Sequence, residues 1–177
     1  MTPATPFTPD ATAPAKAATL VFGWGNPSRG DDAIGPLFVA RCQALAAGHP
    51  EWGGIECQTD FQLQVEHALD LQDRARILFV DASRDCATPF EVTIPVPARD
   101  LSFTSHAMTP QAVLQVYIDL RLDDATPPPC RLLAIRGEAF ELGQELSQAA
   151  QTNLDAALAW ATGWLAGLEH ATTTRIK

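Results

Sequence analysis

The sequence predicts a single three-layer α/β domain: a mostly parallel five-stranded sheet, helices on both faces, and one edge strand free to run antiparallel. Short apolar runs suited to strands alternate with segments whose apolar residues recur every three or four positions, and no segment repeats another. Several of these runs stop at a carboxylate or a turn, so polar side chains collect at one end of the sheet. With 177 residues, 46% of them hydrophobic and 19% charged, the chain can bury one substantial core and is short for two.

Residues 1–18 are rich in Pro, Thr and Ala and lack both a basic start and a continuous apolar stretch, so they read as a disordered tail and not as a secretory signal. The domain is expected over residues 19–170, with 171–177 as a C-terminal tail. Ala18 to Gly23 is an apolar run fit for a strand covered on both faces. Ile34, Leu37, Phe38, Cys42 and Leu45 then follow helical spacing, with Pro36 tolerated in the first turn and Gly48 placed to end the helix. Ile55 to Thr59 is expected as a second strand and Phe61 to Leu71 as a helix. Arg76 to Val80 holds four consecutive apolar residues, a dense strand signal that stops at Asp81 and leaves another carboxylate at a strand's carboxyl end.

Val92, Ile94 and Val96 alternate along a fourth strand, and Pro95 and Pro97 suit an edge or irregular position. After a loop through Ser105 and His106, Thr109 is placed to cap a helix with Pro110 at its first position and Ala112, Val113, Val116, Tyr117 and Leu120 on one face. Leu132 to Ile135 supplies the fifth strand. Ser147 caps a last helix, in which Leu154, Leu158, Ala161, Leu165 and Leu168 form an apolar stripe.

A net charge of -9 argues against an electrostatic grip on nucleic acid or on an anionic membrane, because both need clustered cations. A basic or metal-bearing partner fits better. Cys42, Cys57, Cys86 and Cys130 have no close pair, so a zinc knuckle and a secreted disulfide framework are both disfavoured and buried thiols are expected. No apolar run reaches the roughly 18 residues of a membrane span, and the expected location is the cytoplasm.

Between the first strand and the first helix lies Gly-Trp-Gly-Asn-Pro-Ser-Arg-Gly-Asp-Asp-Ala-Ile-Gly, residues Gly23 to Gly35. A dinucleotide fingerprint needs a third glycine where this chain has Ser28, and Asp31 and Asp32 would repel a phosphate at that helix end. The aspartates either cap the helix or bind a cation, and two caps are one more than a helix needs. In a doubly wound sheet with the first strand beside the third, the Asp32 loop adjoins the strand end that holds Asp81. The loop after the fourth strand can then bring in His106. Two carboxylates and an imidazole suit a borderline divalent ion such as nickel or zinc, with positions left for water or substrate. Singly, each residue has a plainer reading: Asp32 a cap, Asp81 a strand-end turn former, His106 a loop histidine bonded to a carbonyl. His49, His67 and His170 do not share this placement and read as structural or solvated. Ser105 and His106 are sequence neighbours whose side chains point apart, and no cysteine has an evident activating partner.

These residues resemble the maturation endopeptidases of nickel-iron hydrogenases. The resemblance rests on Gly23, Gly25, Asn26, Asp31, Asp32 and Gly35, on Asp81 followed by Ala82, and on His106 ahead of the apolar helix Ala112 to Leu120; it spans Leu20 to Leu168. It implies a fold of the phosphorylase/hydrolase-like type and an endopeptidase that removes the C-terminal extension from the precursor of a hydrogenase large subunit. Asp32, Asp81 and His106 would be its catalytic and metal residues, with Asp32 where many relatives carry glutamate. Nickel would belong mainly to the substrate, and the protease would be a monomer. Relatives often have Asp-Gly-Gly after the second strand; here Thr59, Asp60, Phe61 and Gln62 stand there, so no role is carried over to Asp60. Two rivals remain open. A non-catalytic nickel-binding chaperone could use the same three ligands. A peptidyl-tRNA hydrolase shares Gly-x-Gly-Asn-Pro at Gly23 to Pro27, but needs a histidine shortly after, where this chain has Asp31 and Asp32.

Overall fold

The computed structural model describes residues 16–99, 108–168 and 175–176. Its strands are β1 (Thr19–Trp24), β2 (Ile55–Asp60), β3 (Arg76–Ser83), β4 (Phe90–Ile94), β5 (Cys130–Arg136) and β6 (Arg175–Ile176), and its helices are α1 (Ile34–Ala46), α2 (Pro110–Asp119) and α3 (Gln148–Leu165). The sheet order is β2-β1-β3-β5-β4-β6. All pairings are parallel except β4 with β5. The expected five strands and the one antiparallel strand are therefore present. A two-residue sixth strand from the expected C-terminal tail lies outside β4, so the antiparallel strand is not the outermost.

Alternation along the strands sorts the core into two layers. Val21, Leu78, Val80, Leu133 and Ile135 pack against Ile34, Phe38 and Val39 of α1 and Leu154, Leu158 and Leu165 of α3. Leu20, Phe22, Ile77 and Phe79 face the other way, against Leu63, Leu71 and Val113, Leu114 and Tyr117 of α2. Asp81 follows Phe79 by two positions, so the pleat puts it on the α2 face, at the carboxyl end of β3.

Both predicted caps form: Thr109 Oγ1 accepts from the Ala112 amide at 3.2 Å, and Ser147 Oγ from the Ala150 amide at 3.1 Å. Other expectations are corrected. Phe61–Leu71 is not an α-helix; Val65–Leu71 forms a tighter 3-10 turn, set by a reciprocal cap in which the Gln64 amide donates to His67 Nδ1 at 2.9 Å. Leu37, Leu45, Leu120 and Leu168 are exposed, because the buried stripe of α1 runs through Val39 and the last two residues lie past their helix ends. The expected tail already belongs to the fold at residues 16–18: Lys16 Nζ donates to the Leu69 and Gln72 carbonyls, and the Ala17 and Ala18 carbonyls accept from the Arg74 side chain and the Ala75 amide. Residues 1–15, His106 and His170 lie outside the described residues.

Candidate active site at the carboxyl ends of the strands

The first loop is built by glycines that let backbone touch backbone. A Cβ on Gly23 would stand 2.4 Å from the Gly35 carbonyl oxygen, and one on Gly35 would stand 2.2 Å from that of Trp24. Gly25 has φ +142°, and a side chain there would meet the Asp32 carbonyl oxygen at 2.0 Å. These contacts press the start of α1 onto the end of β1, which fixes where the two aspartates between them can point.

The aspartates take opposite roles, and neither is a cap: the turn Gly30–Ala33 and α1 both lack a side-chain cap. Asp31 is fully buried. It accepts from the amides of Glu138, Ala139 and Ser147 and from the Ser147 hydroxyl, at 2.7–2.9 Å. Burial alone would raise its pKa; these donors outweigh that and hold the carboxyl below its usual range. Asp32 is only half-buried, and its Oδ2 accepts from the Asn26 amide at 2.9 Å.

Asp81 lies beside Asp32. Burial first, and the Asp32 charge second, push its pKa up to about 7 against a weaker opposing hydrogen bond from the Ala82 amide. Adjacent carboxylates of this kind hold a shared proton or a cation more readily than two bare charges. The structure thus brings together two of the three expected site residues; the third, His106, lies outside the described residues. Among the described residues no group of three or more His, Cys, Asp or Glu side chains forms a metal-binding set.

Sequence reasoning missed part of this crevice. Asp60, level with Trp24 in the β1–β2 register, ends β2, and His67 Nε2 lies 3.4 Å from its Oδ2. Because His67 Nδ1 accepts from Gln64, the ring proton sits on Nε2, facing the carboxylate. His67 is therefore tied to the crevice, not merely to its own turn. The only sequence signal was the placement of Asp60 at a strand end. Beyond Asp81, on the same face, a cavity of about 210 Å³ is lined by Ser83, Asp85, Glu91, Thr93 and Leu132. The cysteines offer no nucleophile: all four are free, and burial pushes Cys57 up to about 11 and Cys42 and Cys130 up to about 12.

The sheet and the two neighbouring carboxylates beyond β1 and on β3 define an α/β crevice fold, and comparison with solved structures narrows the fold further. The NiFe hydrogenase maturation protease HycI of Thermococcus kodakarensis matches with a TM-score of 0.64 at 17% identity, over 86% of this chain and 94% of that one. The hydrogenase 2 maturation peptidase of a Thaumarchaeota archaeon matches at 0.57 and 22%, over 85% and 99%. The Escherichia coli hydrogenase maturating endopeptidase HybD matches at 0.56 and 22%, over 81% and 88%. No family model and no curated protein matches the chain. The chain has the fold of the hydrogenase maturation proteases. No helix among the described residues is long and apolar enough to cross a membrane.

Proposed function

We propose that the chain is an endopeptidase that removes the C-terminal extension from the nickel-loaded precursor of a nickel-iron hydrogenase large subunit, and that it recognises the nickel through Asp32, Asp81 and His106. The observation that carries this reading is the meeting of Asp32 and Asp81 at the carboxyl ends of adjacent strands, within a fold otherwise seen in hydrogenase maturation proteases. Nickel is cargo of the substrate. Asp32 is not claimed as a helix cap, and only its Oδ2 is engaged, by the Asn26 amide. Recognition by ligands on the protease makes affinity depend on the loaded state, which couples cleavage to metal insertion.

For the bond-breaking step, nickel held by Asp32, Asp81 and His106 would supply Lewis-acid polarisation to a water placed against the scissile carbonyl carbon. A carboxylate takes the water's proton and returns it to the leaving amine as the C–N bond breaks.

The test is to incubate the protein with nickel-loaded and nickel-free precursor and follow the mass of the large subunit. Mass loss from the loaded form alone is the expected result, abolished in an Asp32→Ala, Asp81→Ala double variant. Cleavage that survives the double variant overturns the reading, and tight binding without mass loss establishes a chaperone in its place.

A further inference from the structure

The loop from Gly137 to Ser147 supplies no side chain to the carboxylate pair, yet many bonds hold it in place. Its base takes all four bonds of buried Asp31. Its backbone is also stitched to the aspartate loop: Asp31 N to Ala139 O at 2.7 Å, Gly30 N to Gln144 O at 3.1 Å, Gly143 N to Ser28 O at 2.7 Å. Arg29 donates to the Phe140 carbonyl, Arg84 lies over the Phe140 ring, and Leu146 packs on the core. A loop so held is rigid, and the freedom its tip would lose on binding has already been given up in folding.

The tip is not shaped for water alone. Leu142 stands at its turn, 74% exposed, the most exposed large apolar side chain among the described residues. Around it Glu138, Glu141 and Glu145 are exposed, none forms an ion pair among the described residues, and no Lys or Arg occurs between Gly137 and Ser147. Arg29 and Arg84 are turned to Phe140 at the loop's inner side, and an apolar knob flanked in sequence by three unpaired carboxylates on a preorganised turn complements a cationic protein surface with an apolar hollow. A nucleic acid or an anionic membrane would be repelled, and so would a second copy of a chain of net charge -9.

We infer that residues 138–145 form a docking loop for the folded body of the protein substrate, seating a basic patch of the precursor beside the crevice. The inference rests on the function proposed above. Asp31 is then the positioning residue of a docking element, and its neighbour Asp32 belongs to the chemistry. Because the loop hangs on Ser28, Gly30 and Asp31, whatever it grips is held in fixed register with Asp32.

The experiment compares wild type with Leu142→Ser and with a triple Glu138→Gln, Glu141→Gln, Glu145→Gln variant. KM and kcat for the loaded precursor are measured at low and high salt, and direct binding to the same precursor is titrated. All four positions are exposed, so the variants should melt with the wild type. The triple variant is expected to raise KM about tenfold at low salt and to lose most of the salt dependence. Leu142→Ser is expected to raise KM about fivefold or more at either salt. In both, the loss is expected in KM and not in kcat. Unchanged KM with an intact salt slope overturns the inference, as does self-association through this loop. If the wild type cleaves nothing, the proposed function fails, and the binding titration still decides whether the loop grips the precursor.

Discussion

Replacing Asp81 by Asn should stabilise the protein while destroying its cleavage. Asn keeps the size of the side chain and removes the charge that burial and Asp32 disfavour. The carboxyl titrates near 3.8 in an unperturbed state and at about 7 in the fold, so between those values the unfolded chain is ionised there and the native one is not. Stability must fall as pH rises through that window and level off above about 7, because the native state is the one that holds the extra proton. At about 1.4 kcal/mol per pKa unit, a shift of about three units sets an upper bound of roughly 4 kcal/mol. Water reaching this half-buried group leaves on the order of 1–2 kcal/mol, or about 2–8 °C in melting temperature for a domain of this size. Urea unfolding of wild type and Asp81→Asn at pH 4, 6 and 8 measures the difference from the lower edge of the window to beyond its upper edge. It should be near zero at the lowest pH and largest at the highest. A variant that is less stable at pH 8 would show that Asp81 makes a net favourable interaction in the native state, and the crowded pair would lose its meaning.

The neighbouring aspartate should behave in the opposite way. Asp31→Asn is expected to cost about 2–4 kcal/mol at neutral pH, since an amide cannot accept four donors as a carboxylate does. With the folded pKa depressed, that stability is present above the unfolded value of 3.8 and is lost as pH falls through the folded one, so the two proteins should converge in acid. Gly35→Ala should lose about 2 kcal/mol or more in urea unfolding, because its Cβ would stand 2.2 Å from a backbone oxygen that has no rotamer to escape into. Binding of the nickel-loaded precursor should tighten as pH rises toward 7, by up to about tenfold per unit, and release a proton, seen as a calorimetric heat that depends on the buffer. Affinity that is flat or falling from pH 6 to 7 would remove Asp81 from the ligand set.

The layers of the sheet were legible because they rest on local chemistry. Apolar runs and three-and-four spacing need no distant partner to be read, and Thr109 and Ser147 cap through atoms three residues away. The β1–β3 neighbourhood followed from the common strand order and brought Asp32 to Asp81. What stayed hidden depends on long-range contact. Asp31 and Asp32 are chemically identical and adjacent, and only amides more than a hundred residues further on assign the first to the clamp. His67 was read on an α-helix, where position 67 carries no special meaning. In the 3-10 turn that forms, the capping bond from Gln64 fixes its tautomer and aims the other nitrogen at Asp60. The loop after β5 has no periodicity, so sequence alone had no means to say that it is rigid.

The two aspartates also show why the plainer reading of either one fails. A capping aspartate stabilises its helix by meeting free amides, and its pKa falls as a result. Asp31 has the lowered pKa without the cap, drawing its donors from Glu138, Ala139 and Ser147. Asp81 is not the turn former expected where the apolar run stops, because β3 continues through it to Ser83 and its environment penalises the charge it would carry. Interlocked glycines and a buried clamp hold Asp32 and Asp81 where they repel, in a molecule that could relax by placing either one in water. Such an arrangement lowers stability unless something positive enters between the two carboxylates. A local loss of this kind, enforced by closely fixed backbone, marks a site kept for function over stability, and the substrate-borne cation proposed above is one charge that would relieve it.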